Sequence, residues 1–488
     1  MSNGQPSLKS QLLHRKPVQM LLEDAAFHEG GLKRALGALE LTALGIGAII
    51  GAGIFVLTGV AAARLAGPGV TLSFVVSGFA CAMAALCYAE FAAMIPVAGS
   101  AYSYSYATMG ELVGWIIGWD LILEYAVGAA AVAVGWSGYL RVVLVGIGIN
   151  LPAELTHAPG SVPGAIVNLP ALAIVVIISA VLVVGISESA RLNSIIVAIK
   201  LSAVAVVILV GTFYVRPANW SPFAPFGWPG IMKGAAVIFF AYIGFDAVST
   251  AAEEVVEPQR NLPLGIIASL LVCTVLYILV AGIVTGMTPY KTIDINAPLA
   301  SAFVNHGLNF VSAIISLGAV AGLTSVLLVL LLGQSRVFFA ISRDGLLPPA
   351  FSRVHPRFRT PYIPTIVTGI AVGITAAFLP IQEIAELTNI GTLFAFVLVC
   401  IGVWILRHAD PGRKRPFMTP LVPLVPILGV VFCGYLMASL PGVTWMRFFA
   451  WLVFGLGIYF SYGRWHSRVS RPGSGAATVA QTRSGTTA

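Results

Sequence analysis

The sequence predicts an all-α membrane protein whose twelve transmembrane helices form a bundle. Three observations carry that expectation. Of the 488 residues, 58% are hydrophobic and 9% charged, with a mean hydropathy of +0.93, more apolar surface than a water-soluble chain has use for. Apolar runs long enough to cross the hydrocarbon layer recur at about 40–66, 70–95, 111–140, 166–186, 193–214, 231–251, 264–287, 303–332, 363–380, 384–406, 421–440 and 445–463,. The first of those runs carries the triplet Gly51-Ala52-Gly53, and the sixth carries Gly244 in its middle with Asp246 just after it.

The first run is the one around which the rest is organised. In Leu41 to Gly59, LTALGIGAIIGAGIFVLTG, the Gly51-Ala52-Gly53 triplet disfavours a continuous helix. A break there frees backbone groups, and at that depth irregular backbone is tolerated only where it lines a polar cavity or is buried in protein. The N–H groups of the half-helix beginning near Ile54 would face a cavity with the positive end of the helix dipole behind them, which suits a carboxylate. Close helix packing is the competing explanation for glycines in such a segment.

The second interrupted run spans Ile231 to Glu254, with Gly244 in its middle and Asp246 just after it. Five spans separate the starts of the two broken segments. Five is odd, so the second unit enters the membrane from the opposite side, the inverted-repeat arrangement of many secondary transporters. The two breaks are then expected to face each other near the midplane.

Orientation follows from charge. With the N-terminus inside, 20 of the 27 Lys and Arg residues fall on the inner side, six on the outer side, and Lys200 lies within a span. This bias places both termini in the cytoplasm. No charged segment leading into an apolar core and cleavage site precedes the first span, so no removable signal peptide is expected. The expected organisation is a cytoplasmic N-terminal segment (1–39), a first repeat (40–214), a second repeat (231–406), two appended spans (421–463) and a disordered cytoplasmic tail (464–488),. Residues 142–167, with Pro152 and Pro159, form the longest outer loop.

Few residues can carry chemistry. Lys200 sits among apolar neighbours in the fifth span, where a cation is costly and marks a functional site unless it snorkels to the cytoplasmic interface. Glu124 in the third span shares its helix face with Asp120, four residues earlier,. Its carboxylate suits proton movement, recognition of a substrate amine, or hydrogen bonding to neighbouring helices. Glu253, Glu254, Glu257 and Arg260 cluster at the inner end of the sixth span, as solvated ion pairs or as an inner gate with Arg336 or Arg343. Cys81, Cys87, Cys273, Cys400 and Cys433 lie within apolar runs as small core residues,. No His, Cys or carboxylate spacing suggests a metal, no phosphate-binding loop suggests ATP, and the positive charge is accounted for by topology without nucleic acid. No cofactor is expected. Rings of carboxylates that would mark a channel, and clustered histidines that would mark an enzyme, are missing from the sequence,.

Several segments together resemble one family. GIGAIIGAGIFVLTG at 45–59, YAEFAAMIPVAGSAYSY at 88–104, GWDLILEY at 118–125, FFAYIGFDAVSTAAEEVVEPQRNLP at 239–263 and GQSRVFFAISRDGLLP at 333–348 are similar to amino acid permeases of the amino acid-polyamine-organocation superfamily, in the branch of bacterial relatives of cationic amino acid transporters. The resemblance implies the leucine-transporter fold, with spans 1–5 and 6–10 as inverted repeats and two helices appended. It implies that N–H groups of Gly51, Ala52 and Gly53 hold a substrate α-carboxylate, that carbonyls near Ile49, Phe240, Ala241 and Ile243 meet the α-ammonium, and that the Phe240 ring covers the site. It implies that Lys200 stands in for a sodium ion against carbonyls of Gly47 and Ile50, coupling transport to protons. It places Leu330 on the pocket floor at a position that is small and polar in dedicated cationic carriers. The implied activity is proton-coupled uptake of neutral, small or medium L-amino acids across a bacterial inner membrane, with an amino acid or polyamine exchanger, or cationic uptake through Glu124, as alternatives. A small single-helix partner or a sterol-like lipid comes with the family by analogy only.

Overall fold

The computed structural model describes residues 11–17, 36–96, 100–185, 190–250, 252, 255–358 and 360–468. Among these residues the chain is helical, with only two isolated β-bridges, Leu36 with Val255 and Thr156 with Asn168. Helix α1 (Ala38–Ile49) stops where Ile50 turns extended. After a gap at 50–52 the chain resumes with a wide turn at Gly53–Leu57, a short helix Thr58–Ala61 and a second wide turn at Ala62–Ala66. The first apolar run is thus two half-helices, as its glycines anticipate.

There follow α2 (Val70–Met94), α3 (Ser100–Met109), α4 (Glu111–Gly146), α5 (Leu169–Val184), α6 (Ala190–Gly211) and α7 (Gly227–Ile238). Helix α7 tightens into a 3-10 turn at Phe239–Tyr242, and Ile243 is extended. Gly244 adopts φ +119, a conformation only glycine holds without strain. This second break leads through a short helix, Ala247–Thr250, to α8 (Pro258–Met287), α9 (Pro298–Val304), α10 (Asn309–Arg343), α11 (Tyr362–Phe378), α12 (Ile381–Ala409), α13 (Leu424–Ala438) and α14 (Gly442–Ile458). Seven described helical segments are long and apolar enough to cross a membrane, and Ala38–Ile49, Leu169–Val184, Tyr362–Phe378 and Leu424–Ala438 are shorter apolar helices.

Several boundaries differ from expectation: α8 starts at Pro258 and α10 ends at Arg343, each beyond the expected run, α3 lies between two expected runs, and three further differences have a local cause. Helix α4 continues to Gly146, because Val142 to Val145 remain apolar and the first breakers are Gly146 and Gly148, so the outer loop is shorter than 142–167. The eighth run is not one helix from 303 but α9 followed by α10, starting at Asn309, with Gly307 at φ +76 between them. The segment from 464 does not begin as free tail. Ser467 Oγ donates to Glu111 and Arg468 N donates to the Asp344 carbonyl at 3.0 Å.

Helix α10 lies along α4, α8 packs against both α1 and α2, and α12 packs against α4. All five cysteines are buried and free. The two breaks touch at the centre of the bundle. A Cβ on Gly53 would fall inside the Ala241 backbone, and one on Gly244 would lie 2.8 Å from the Ala48 carbonyl. Gly45 makes the same close approach to Ser269 of α8. Close packing therefore explains Gly45 and Gly53, whereas a Cβ on Gly51 would make only ordinary contact with Val326 at 3.4 Å.

Gly53→Ala is expected to destabilise the protein by about 1–3 kcal/mol or more, because backbone must yield to the new methyl group. Gly434→Ala, where a Cβ meets nothing within 4 Å, should leave stability unchanged. Thermal unfolding of both purified variants checks the contrast.

Candidate functional site

The meeting of the breaks leaves a cavity. Its core, the space open to the centre of a water molecule, is about 30 Å³. Ala48, Ile49, Gly51, Ala52 and Gly53 line it from the first break, and Phe240, Ile243 and Gly244 from the second. Helix α4 contributes Glu124, Tyr125, Gly128 and Val132, and α10 contributes Val326, Val329 and Leu330. Of the residues singled out in the sequence, Ile49, Gly51, Ala52, Gly53, Glu124, Phe240, Ile243 and Leu330 are brought together here. Ala241 is not on the cavity wall, because its Cα is pressed against Gly53.

Each break is held by side chains that take up freed carbonyls. Lys200 of α6 is fully buried, and its Nζ donates to the Gly47 carbonyl at 2.6 Å. Its stem crosses Gly322 of α10, where a Cβ would lie 2.8 Å from Lys200 Cγ. It does not snorkel. Ile50, expected beside Gly47 as a second partner, makes no hydrogen bond with Lys200 among the described residues. Its amide instead closes the last turn of α1 onto the Ile46 carbonyl at 2.9 Å.

Sequence reasoning missed Tyr277 of α8. Its hydroxyl lies 2.9 Å from the Ile49 carbonyl and 2.9 Å from the Ala241 carbonyl, one from each break. A hydroxyl has a single proton, so it serves the two acceptors in alternation. Tyr139 donates to the Phe55 carbonyl at 2.6 Å in the half-helix after the first break. Nothing distinguishes these tyrosines from other aromatics in apolar runs, so the sequence offers no signal for them.

The carboxylates occupy one side. Glu124 is buried and its Oε1 has no hydrogen-bond partner. Asp120, one turn away on α4, is fully buried with neither oxygen partnered, and it abuts Gly391 of α12. Asp246 accepts from the Gly244 amide at 3.2 Å, and the Tyr125 hydroxyl lies 3.5 Å from its other oxygen. Among the described residues no group of three His, Cys, Asp or Glu side chains could hold a metal ion.

The expected inner gate rests partly on Glu253 and Glu254, which lie outside the described residues. Glu257 takes a left-handed conformation at φ 49 at the start of α8. Another buried ion pair is present among the described residues. Lys16, buried, pairs with Asp344 at 3.2 Å just past the end of α10, and Tyr102 donates to the same carboxylate at 2.7 Å. Gln11 donates to the Arg464 carbonyl at 2.6 Å. Residues 11–16, featureless as sequence, are thereby packed against α3, the end of α10 and the residues that follow α14.

Tyr277→Phe removes the donor shared by the Ile49 and Ala241 carbonyls without changing the ring. A loss of about 1–3 kcal/mol in stability is expected from the orphaned acceptors, read as a lower melting temperature in detergent, whereas Tyr435→Phe on an exposed face should leave it unchanged.

A family model described as amino acid permease matches residues 36–459. The branched-chain amino acid permease BcaP of Bacillus subtilis is 50% identical over 95% of this chain and the whole of that protein. A methylthioribose transporter of the same organism is 49% identical, again over 95% of this chain and all of the relative. A vacuolar cationic amino acid transporter 4 of Arabidopsis thaliana is 38% identical over 82% of this chain and 68% of its own length.

Proposed function

This chain belongs to the amino acid permease family, and on that premise we propose that it is a proton-coupled symporter importing neutral, small to medium L-amino acids. It works by alternating access in the cytoplasmic membrane of a bacterium, with both termini inside. The observation that carries this reading is the cavity where two broken helices meet, with a buried lysine bonded to the backbone of one of them. Twelve spans in two inverted repeats of five plus two helices is the arrangement that brings such breaks face to face.

Each part of the substrate has a place in this reading. The first N–H groups after the break, at Gly51 to Gly53, lack helical partners and take the α-carboxylate. The carbonyls of Ile49, Phe240 and Ile243 take the α-ammonium, with that of Ala241 shared through Tyr277. Val132, Val326, Val329 and Leu330 leave the side chain an apolar compartment, which favours branched and other uncharged chains. The name of the Bacillus branched-chain permease agrees with that compartment. The cationic carriers' name keeps Glu124 in view as a partner for a charged side chain. The methylthioribose transporter's name adds a neutral thioether sugar to the ligands worth testing.

Lys200 supplies the coupling. As an ammonium it holds the Gly47 carbonyl and thus the inner half of the first broken span. Loss of its proton weakens that bond, and a substrate that binds one conformation more tightly shifts the balance between inward- and outward-facing forms. Sodium is not required.

The test is uptake of labelled L-amino acids, with methylthioribose in the panel, into proteoliposomes with and without an inward proton gradient. The expected result is gradient-driven uptake of branched-chain and small neutral amino acids, reduced at least about tenfold by Lys200→Met, equivalent to about 1.4 kcal/mol. Uptake indifferent to the gradient but stimulated by internal amino acid would make the protein an exchanger. Transport of methylthioribose alone would overturn the substrate assignment.

A further inference from the structure

The second break is also held by residues that never touch the cavity. Where α7 gives way to the 3-10 turn at Phe239–Tyr242, the regular ladder at its last carbonyls is disturbed, and acceptors at membrane depth must find donors within the protein. Asn389 of α12 supplies two. Fully buried, its carboxamide nitrogen lies 2.7 Å from the Ala236 carbonyl and 2.8 Å from the Val237 carbonyl. Seven residues later, two turns along the same helix face, Phe396 packs against rings on both sides of the break. Its centroid is 5.7 Å from that of Phe239 before the break and 5.0 Å from that of Phe245 after it. From the other side, Ser73 and Ser77 of α2 donate to the Ile231 and Ala235 carbonyls at 2.7 Å each. Neither Asn389 nor Phe396 lines the cavity.

We infer that α12 positions the second half of the binding site, with Asn389 the positioning residue. Its amide fixes where α7 stops, Phe396 fixes the flanks of the break, and the Phe240 ring and the Ile243 carbonyl are thereby aimed at the cavity. The chemistry is specific to a primary amide. Two carbonyls need two N–H protons from one short side chain, which Asn provides and neither Asp nor Leu does. A carboxylate in its place sets oxygen against oxygen until it is protonated. The inference builds on the proposed function in taking the cavity as the substrate site.

Two readouts on the full chain test it. In detergent, Asn389→Leu is expected to speed amide hydrogen exchange in peptides covering 239–246 by about tenfold while leaving peptides of α10 unchanged. In proteoliposomes it raises the KM of the amino acid that the wild type takes up by about tenfold, with the maximal rate changed far less. Asn389→Asp gives the signature that a merely structural role would not. Its uptake relative to wild type rises as the medium is acidified from about pH 8 to about pH 5.5, whereas that of Asn389→Leu stays flat. Phe396→Leu carries the exchange test if Asn389→Leu fails to fold. Unchanged exchange at 239–246, an unchanged KM, or acceleration spread evenly over all helices would overturn the inference. Should the wild type take up no amino acid, the proposed function fails and the exchange comparison alone still decides the role of Asn389.

Discussion

A backbone group at membrane depth must have a partner inside the protein, and this structure breaks two helices at its centre. The rest of the bundle can be understood as the means of satisfying that requirement. Several carbonyls at the breaks are met by a donor from a different helix: Gly47 by Lys200, Ile49 and Ala241 in alternation by Tyr277, Phe55 by Tyr139, Ala236 and Val237 by Asn389. Helices α4, α6, α8 and α12 are thus tied to the breaks by hydrogen bonds worth more here than in water, because the alternative is an unpaired group without solvent.

The same constraint shapes the cavity. The breaks approach each other so closely that glycine is needed at 53 and 244, and the space left beside them is small and largely apolar. Polar contacts are confined to the backbone and one edge, where Glu124 lies with Asp120 behind it. Lys200 is at the back of the first break, outside the cavity wall, and its contact is with the backbone of α1. A ligand with charges at one end and an apolar chain at the other matches that division.

The ends of α3, α10 and α14 are joined by another economy. Glu111 is buried and accepts from Tyr106, Tyr459 and Ser467. Asp344 accepts from Lys16 and Tyr102. Two carboxylates with several donors each hold together the ends of α3, α10 and α14 with residues 11–16. Glu90 is treated likewise, with a two-pronged contact from Arg407 at 2.8 Å and the Thr419 amide at 2.8 Å. These groups are engaged by several donors, unlike Asp120, whose two oxygens have no hydrogen-bond partner.

What the sequence determined by itself is what local composition dictates. Long apolar runs declare helices in lipid, a glycine triplet in one of them declares a break, and a lone lysine in another declares a buried charge whose cost demands a purpose. The break at 50–52 was legible for that reason, whereas the contribution of Leu330 to the cavity was legible only through the motifs that carry the family resemblance. The tertiary structure alone decided the partners. Tyr277, Tyr139, Gly322 and Asn389 have nothing unusual beside them in the chain, and their roles arise from which carbonyl lies opposite across tens or hundreds of residues. The same holds for Lys16, which looked like one more cytoplasmic charge until Asp344 was placed beside it. Periodicity and composition register the environment of a segment, whereas hydrogen bonds between helices depend on register and depth, which only packing sets.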